Sequence, residues 1–492
     1  MKKNQLIKKA VVIGAGIGGI AAAIRLKCKG YEVIVLEKNA YPGGKLSEIS
    51  QNGFRFDAGP SLFTMPHFVD ELFTLANKNP RDYLNYKKLD ETCNYFFADG
   101  STLTAFADLE KFGKEVEEKT LDNSKTLKNF FTKSKAIFEI TYPVFLTKSL
   151  HKIKTYLNLT TLLSLLRINE INAFKSMNEA NKQLFKDPKM VQYFNRYATY
   201  NGSNPFKAPA TLNVIPHLEH YYGAYFPIGG MVNITKSLVK LANEIGVKFS
   251  MNCEVKSVSV ENKKIKGVQL ENEFIPADLV VVNADVHSFY KNLMPENKIP
   301  NKLIKQEPSG SALIFYWGIK KEFPELSLHN IFFSTDYNQE FEKIFNEKTI
   351  SHDPTIYLNI SSKLNKEDAP DGSENWFTMI NVPYNSGQNW EELIKEARKN
   401  IIEKLNETLQ IDLESLIVSE MILDPILIES KTSSNKGALY GGSSNNRFAA
   451  FLRHSNFSFE VNGLYFCGGS VHPGGGIPLA LLSAKITTDL IA

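Results

Sequence analysis

The sequence predicts an α/β protein with a Rossmann-like nucleotide-binding domain, and the stretch 10–37 is the main reason. In that stretch an apolar strand leads into the glycine turn GAGIGG at 14–19, and a helix of small residues follows. A second apolar strand then ends at Glu37. This order of strand, glycine turn, helix, strand and acid is typical of a βαβ unit that binds a dinucleotide.

Each glycine of the turn has its own physical task. Gly14 allows a sharp turn after the strand, Gly16 lets a pyrophosphate approach the backbone, and Gly19 lets the helix pack against the strand. The first N–H groups of the helix point at the phosphates. Glu37 is placed where a carboxylate can accept hydrogen bonds from a ribose.

Length and composition limit the classes of protein that fit. A chain of 492 residues is long enough for two or three domains. Its 43% hydrophobic and 22% charged residues are ordinary for a folded globular protein. A net charge of +4 is too small to indicate nucleic-acid binding.

The cysteines are few and far apart. The four of them show no CxxC and no other metal-type spacing, so we expect reduced thiols, no metal site and a cytoplasmic protein. The sequence contains no run of about 18 uncharged apolar residues, and a transmembrane helix is not expected.

The nucleotide-domain pattern recurs at two later places. The strand DLVVVNA at 278–284 and the strand and glycine loop LYFCGG at 464–469 resemble its opening. We therefore predict a discontinuous nucleotide-binding domain made of 1–90, 224–299 and 436–492. The intervening pieces, 91–223 and 300–435, form an inserted α+β substrate domain.

Shorter patterns predict individual elements. The segment 93–105 reads as a hairpin that turns at Asp99-Gly100. The segment 247–255 reads as a strand, with Val255 at its end. If VIPHLEH is also a strand, His217 and Glu219 share one face.

The segment 140–169 is cationic and rich in leucine. No acid occurs between Glu139 and Glu170, whereas Lys148, Lys152 and Lys154 fall within the segment. Such a segment can lie on an anionic membrane surface or can be a surface helix packed on its own domain, and the residues alone leave both open.

Taken together, the motifs resemble those of the bacterial carotenoid desaturases, the phytoene-desaturase-like flavoproteins of the amine oxidase superfamily. The resemblance covers nearly the whole length. It is carried by GAGIGG, GGK at 43–45, FDAGPSLFTMP at 56–66, FKDPKM at 185–190, the long motif at 201–231, and CGGSVHPGGGIPLALLSAK. The stretch DAGPSLFTMPHFVDELF is more similar to the hydroxycarotenoid 3,4-desaturase (methoxyneurosporene-dehydrogenase-like) branch.

The resemblance implies FAD as the cofactor. Many members carry arginine where this chain has Lys45, which keeps the charge without the planar fork. The terminal helix, opened by a triple glycine, would direct its N-terminus at the flavin. The implied cofactor-binding residues are Gly14, Gly16, Ile17, Gly18, Gly19, Glu37, Lys38, Gly44, Lys45, Gly59, Pro60, Ser61, Leu62, Val255, Asn283, Gly469, Gly476, Ile477 and Pro478.

Desaturation by hydride transfer to a flavin needs a dry, well-shaped slot more than strong acids or bases. Arg196, His217 and His472 are the catalytic candidates, and Tyr200 and Glu219 lie in the same motifs. None of these spacings compels a catalytic role.

The resemblance implies an FAD-dependent oxidoreductase that forms a C=C bond, with 3,4-desaturation of an acyclic 1-hydroxycarotenoid as the main hypothesis. Phytoene or neurosporene desaturation, a carotenoid isomerase or saturase, and a non-catalytic prenyl-binding escort protein are the alternatives. The expected partners are an acyclic carotenoid, a membrane to which the protein binds peripherally, and oxygen or a quinone as terminal electron acceptor.

Overall fold

The computed structural model describes residues 7–296, 299–446 and 453–491. A five-stranded parallel sheet confirms the predicted α/β architecture. Its strands, in spatial order, are Lys248–Ser250, Glu32–Leu36, Lys9–Ile13, Leu279–Val282 and Leu464–Phe466. The beginning, the middle and the end of the chain therefore share one sheet.

Four helices cover one face of this sheet, and a fifth helix together with the small sheet 257–276 covers the other, as continuous apolar strands require. The four are Ile17–Cys28, His67–Leu75, Val232–Glu244 and Ile477–Asp489, and the fifth is Val286–Asn292. The first and the last of the four pack together through small buried side chains such as Ala22 and Ala484. Lys29 Nζ donates to the carbonyls of Thr488 and Ile491 at 2.5 and 2.8 Å, so the first helix also caps the end of the last one.

A seven-stranded mixed sheet forms a second layer. Its strands, in spatial order, are Ile417–Leu423, Ser311–Ile319, Glu374–Val382, Ile356–Asn359, His329–Phe332, Glu91–Phe96 and Thr102–Phe106. The last two confirm the predicted hairpin, with Gly100 at φ +80° in its turn. The long helix Trp390–Leu409 packs on this sheet through Ile401 and Leu405.

The remaining elements are shorter. A helical region contains Leu109–Lys119, Ser124–Thr141, Leu159–Leu166, Met177–Leu184, Pro188–Asn195 and Val214–His217. Other short helices are Asn301–Ile304, Tyr337–Glu342, Leu413–Leu416 and Pro425–Thr432. Three small sheets are formed by Glu48–Gln51 with Phe54–Asp57, by Phe63–Thr64, Tyr86–Lys88 and Ala224–Pro227, and by Ser257–Glu261, Lys264–Gln269 and Phe274–Pro276.

An ion-pair network fixes the strand Phe54–Asp57 between the two large sheets. Arg55 contacts Asp57 at 2.7 Å and the fully buried Asp368 at 3.1 Å. Asp57 in turn accepts the backbone N–H groups of Met231 and Val232 at 2.8 and 2.9 Å. The stretch 59–62 that follows this strand is thereby held in a defined place.

Two predicted strands differ in the structure. The strand expected over 247–255 covers only Lys248–Ser250, because the chain then leaves the sheet edge and Cys253 N donates to Glu37 O at 2.8 Å. The stretch with His217 and Glu219 is helical, Val214–His217 followed by a wider turn, Leu218–Tyr222. Here packing on the helix Ser124–Thr141 decides the conformation.

The segment 140–169 divides into an inner and an outer part. Tyr142 and Leu146 pack on the core of the nucleotide domain, whereas the later residues face outwards. We call the exposed side chains Ile153, Leu157, Leu159, Leu163, Leu166 and Phe174 the apolar patch. In the described residues, no helix combines the length and the apolarity that spanning a bilayer requires.

Candidate active site

The glycine turn after the first strand is closely packed. Gly14 has φ +94°, in the region that favours glycine, and its N–H donates to Leu36 O at 2.8 Å. A Cβ on Gly19 would lie 2.1 Å from Gly14 O, so the helix can approach the strand only with glycine there. A Cβ on Gly16 would lie 2.7 Å from Asn283 Nδ2.

Glu37 is buried at the end of the second strand. Its Oε2 accepts Ala15 N at 2.7 Å, and its Oε1 accepts Asn39 N at 2.9 Å. Oε1 also accepts Asn39 Nδ2 at 2.9 Å, which fills its two lone pairs, so the acceptor capacity left for a ribose is the second lone pair of Oε2. The ammonium of the neighbouring Lys38 donates to Ser430 O at 2.7 Å, and it holds the helix Pro425–Thr432 at the edge of the site.

A second glycine turn lies directly against the first. Gly43 N donates to Ala15 O at 2.7 Å, and a Cβ on Gly44 would lie 3.5 Å from Gly16 Cα. The next residue, Lys45, is half-buried, and its Nζ donates to Leu439 O at 2.7 Å. Burial lowers the pKa of Lys45 to about 8, although the nearby Asp285 opposes this shift. An ammonium beside two glycine turns is suited to an anionic group.

The terminal glycine loop is held by Arg453. Its guanidinium donates to the carbonyls of Tyr440 and Gly469 at 2.8 and 3.0 Å. Burial lowers the pKa of Arg453 to about 10. The loop ends at Gly476, with φ +98°, where the helix Ile477–Asp489 begins without an acid in its first turn. The positive end of that helix is therefore available to a ligand.

These turns border one cavity of about 1140 Å³. Every predicted cofactor residue except Gly19 lines it: Gly14, Gly16, Ile17, Gly18, Glu37, Lys38, Gly44, Lys45, Gly59, Pro60, Ser61, Leu62, Val255, Asn283, Gly469, Gly476, Ile477 and Pro478. Gly19 lies beneath the turn, where it permits the close packing described above.

The residues present fit FAD. Two helix N-termini and the Lys45 ammonium can stabilise the negative charge of a pyrophosphate and of an electron-rich ring. Glu37 can accept hydrogen bonds from a ribose. The glycine turns leave backbone surface that a Cβ would fill. The first glycine turn and the terminal segment lie close together, because a Cβ on Gly18 would lie 3.2 Å from Gly468 Cα.

The cavity continues into a second chamber beside the seven-stranded sheet. We call this part the chamber. Apolar and aromatic side chains make up much of its wall: Ile314, Tyr316, Ile331, Phe377, Met379, Met421 and Leu423. Such a lining excludes water and suits a long apolar ligand.

One wall of the chamber carries a buried ion pair. Arg196 and Glu219, 4% and 2% exposed, approach to 3.5 Å. Glu219 also accepts the hydroxyls of Tyr197 and Tyr200 at 2.8 and 3.0 Å. The guanidinium carbon of Arg196 lies 4.2 to 5.7 Å from the centres of the rings of Tyr95, Tyr193, Tyr197 and Tyr200. Both charges are thus stabilised inside the protein.

The three catalytic candidates lie apart. Arg196 lines the chamber, but the lining formed by the described residues includes neither His217 nor His472. The His217 ring stacks on Tyr221, and burial lowers its pKa to about 4. His472 Nε2 donates to Lys148 O at 2.9 Å. A catalytic role for the two histidines stays a prediction.

Sequence reasoning missed a histidine on the opposite wall of the chamber. His329 opens the strand His329–Phe332, and its Nδ1 lies 2.7 Å from Tyr357 Oη. The same Tyr357 hydroxyl lies 2.6 Å from Ser61 Oγ. The only hint in the sequence was the polar pair His329-Asn330 before three apolar residues, and it did not indicate a partner.

Comparisons with known proteins agree with this site. The chain is 52% identical to a 1-hydroxycarotenoid 3,4-desaturase of Flavobacterium sp. (strain P99-3) over 485 residues, 99% of each chain. It is 34% identical to a 4,4'-diapolycopene oxygenase of Methylomonas sp, over 98% of each chain. The crystal structure of an oxidoreductase from Methanosarcina mazei shares the fold, with a TM-score of 0.63, 17% identity, and coverage of 98% of this chain and 100% of that one.

A family model described as flavin containing amine oxidoreductase matches residues 17–492. The match begins inside the first glycine turn and ends with the terminal helix, so it includes both ends of the cavity. The chain belongs to the flavin containing amine oxidoreductases, and FAD is its cofactor.

Proposed function

We propose that this protein is an FAD-dependent desaturase that introduces the 3,4 double bond into an acyclic 1-hydroxycarotenoid. One observation carries the proposal: the cavity that begins between the glycine turns continues into the apolar chamber. The 52% identity to a 1-hydroxycarotenoid 3,4-desaturase along nearly the whole chain supports the choice of substrate.

Bound FAD supplies the hydride acceptor for such a reaction. The residues of the chain place the reactants and keep water away. The stretch 59–62 and the terminal glycine loop border the junction between the two parts of the cavity, and the apolar wall of the chamber aligns the polyene. The buried pair of Arg196 and Glu219 contributes a fixed dipole to that wall.

The test is an incubation of purified, FAD-loaded protein with acyclic carotenoids that carry or lack the 1-hydroxyl group. We expect a product two hydrogen masses lighter, with absorption bands at longer wavelength. A product heavier by one oxygen would instead favour an oxygenase, the activity named for the Methylomonas relative. Desaturation of only phytoene or neurosporene would contradict the choice of substrate.

The remaining alternatives have their own signatures. Activity only after chemical reduction of the flavin would favour an isomerase or a saturase. A purified protein without a flavin spectrum would favour an escort protein. The same experiment under nitrogen, with a quinone added or withheld, distinguishes oxygen from a quinone as the terminal acceptor.

We also propose that the protein binds peripherally to a bilayer through the apolar patch. Leu157 and Leu166 are 77% and 73% exposed, and Lys154 is exposed beside them. Exposed leucines next to cationic side chains are typical of surfaces that dock on anionic lipid. A carotenoid already dissolved in lipid gains little from burial in protein, so the enzyme has to collect it at the membrane.

Pelleting with anionic liposomes tests this surface. Replacement of Leu157 and Leu166 by glutamate should abolish pelleting, and charge reversal of Lys148, Lys152 and Lys154 should weaken it in a salt-dependent way. The matched control is Leu121→Glu. Leu121 is 74% exposed and precedes the helix Ser124–Thr141, whereas the patch segment follows that helix. The helix has 18 residues and is about 27 Å long at 1.5 Å per residue. Unchanged pelleting of the patch variants would remove this surface from the proposal.

A further inference from the structure

His329 presents an unused polar atom to the chamber. The side chain is 4% exposed and lines the cavity. Its Nε2 has no hydrogen-bond partner within the part of the chain that the structure describes. A buried polar atom without a partner costs free energy, and a ligand in the cavity that completes the hydrogen bond would recover it.

The neighbours of the ring determine which nitrogen carries the proton. Asn359 Nδ2 lies 3.0 Å from Leu328 O and 3.1 Å from His329 Nδ1. A carbonyl only accepts, so this atom of Asn359 is the amide nitrogen, which only donates. His329 Nδ1 therefore accepts a hydrogen bond. Burial lowers the pKa of His329 to about 4, so the ring is neutral and its single proton resides on Nε2.

A hydrogen-bond chain connects this histidine to the FAD-lining stretch. Since His329 Nδ1 accepts, the Tyr357 hydroxyl donates to it at 2.7 Å, and Ser61 Oγ donates to Tyr357 Oη at 2.6 Å. Ser61 lines the cavity and belongs to the stretch 59–62, which lies against the second glycine turn, since a Cβ on Gly59 would lie 2.0 Å from Lys45 O. His329 is thus fixed near the place where the substrate meets the cofactor.

The position of the hydroxyl group on the proposed substrate sets a distance requirement. The hydroxyl oxygen is attached to C1, and three bonds separate this oxygen from C3. A residue that binds the hydroxyl group must therefore lie close to the reacting carbons. Arg196, whose Nε is also without a partner among the described residues, is less suited. Its guanidinium is already paired with Glu219 and donates to Tyr200 Oη at 2.7 Å.

We propose that His329 determines substrate specificity by donating a hydrogen bond from Nε2 to the tertiary hydroxyl group of the carotenoid. Tyr357 is then a positioning residue that holds the ring through Nδ1. This inference rests on the proposed function, because it concerns the same cavity and names the group that distinguishes its substrate. A substrate without the hydroxyl leaves Nε2 unpaired in an apolar chamber and is disfavoured.

The experiment compares a 1-hydroxycarotenoid with the same chain lacking the hydroxyl, in wild type and in three variants. His329→Leu removes the donor, and His329→Gln keeps an amide N–H near the position of Nε2. His220→Leu is the matched control, since His220 is buried outside the cavity lining formed by the described residues, where it stacks on Phe112 and its Nε2 lies 3.2 Å from Tyr193 Oη. Flavin absorbance confirms folding, kcat/KM measures turnover, and quenching of protein fluorescence in detergent measures binding of each carotenoid.

We expect wild type to prefer the hydroxylated substrate at least 10-fold in kcat/KM. His329→Leu should lower kcat/KM and affinity for that substrate by about 10- to 100-fold and leave the other substrate unaffected or improved. His329→Gln should retain part of the preference, and His220→Leu all of it. Tyr357→Phe should reduce the preference less than His329→Leu, because Asn359 still donates to Nδ1.

Two results would overturn the inference while the proposed desaturase function stands. One is that the wild type desaturates both substrates equally well, a result that does not depend on the stability of any variant. The other concerns the variants. A flavin-containing His329→Leu or His329→Gln variant with the same preference as wild type, or a His220→Leu variant that loses as much preference as His329→Leu, would contradict the role of His329. A wild type that desaturates neither substrate would instead contradict the proposed function, and the inference with it.

Discussion

His472 Nε2 donates a hydrogen bond to the backbone carbonyl of Lys148 at 2.9 Å, across 324 residues of sequence. His472 lies within the terminal glycine loop, two residues before Gly474, and Lys148 lies in the segment 140–169, five residues before Ile153 of the apolar patch. The surface proposed to meet the membrane is therefore tied to the loop that borders the cofactor cavity.

Replacement of His472 by alanine should loosen the patch segment. Burial lowers the pKa of His472 to about 4, so the bond that is lost is a neutral one, and we expect a loss of about 1 to 2 kcal/mol in the free energy of unfolding. Trypsin should cleave faster at Lys148, Lys152 and Lys154. Turnover per bound flavin should persist, and its loss at full flavin content would show that His472 acts in the chemistry. The exposed His352 provides the control, His352→Ala, which should leave cleavage unchanged.

Replacement of Gly19 by alanine should abolish flavin binding. The new Cβ would lie 2.1 Å from Gly14 O, and backbone has to shift to relieve the contact. Gly310→Ala is the matched control, because its Cβ would meet its nearest atoms at an ordinary 3.7 Å. The measurement is the ratio of flavin to protein absorbance after purification. Equal flavin content in the two variants would contradict the packing role assigned to Gly19.

The contrast between these glycines and His329 shows what the sequence could predict. Gly14, Gly16 and Gly19 act through backbone geometry within one turn, so their spacing alone identifies the nucleotide-binding end. His329 and Tyr357 meet because two strands pair antiparallel, with His329 opposite Asn359, and that register depends on the whole sheet. The sequence contains no local signal for it.

The helical turn at 214–222 depends on tertiary contacts in the same way. The sequence allows a strand there, on which His217 and Glu219 would share one face, but the stretch is helical and Glu219 accepts tyrosine hydroxyls from the preceding turn Arg196–Asn201. Tertiary contacts outweighed the local pattern. Nearly the whole cofactor end could thus be predicted, whereas the polar groups of the chamber could be predicted only in part.

Replacement of Glu219 by glutamine should destabilise the protein strongly. The change keeps the shape of the side chain but leaves the Arg196 guanidinium buried without its counter-charge, at a cost of about 3 to 5 kcal/mol. Urea unfolding followed by tyrosine fluorescence measures the loss. The control is Glu414→Gln, which removes a partner from the more exposed pair with Arg398 and should cost less than about 1 kcal/mol. A similar cost for both variants would mean that the Arg196 charge does not need Glu219.

Acid should destabilise the protein through its neutral buried histidines. Burial lowers the pKa of five of them, His217, His220, His329, His454 and His472, to about 4 from an ordinary value near 6.5. Between these two pH values the histidines bind protons in the unfolded chain but not in the folded protein. The free energy of unfolding therefore falls as the pH falls from about 6.5 towards 4. Buried carboxyl groups act in the opposite direction, because burial raises the pKa of Asp285.

A difference measurement isolates one histidine from those opposing groups. The His454→Gln variant removes one titrating ring, so the free-energy difference between it and wild type should be constant above about pH 7.5. Between about pH 6 and 4.5 it should change by about 1.4 kcal/mol per pH unit, with wild type losing more stability. The measurement is urea unfolding at a series of pH values. A difference that does not vary with pH would mean that the folded protein protonates His454 as readily as the unfolded chain does.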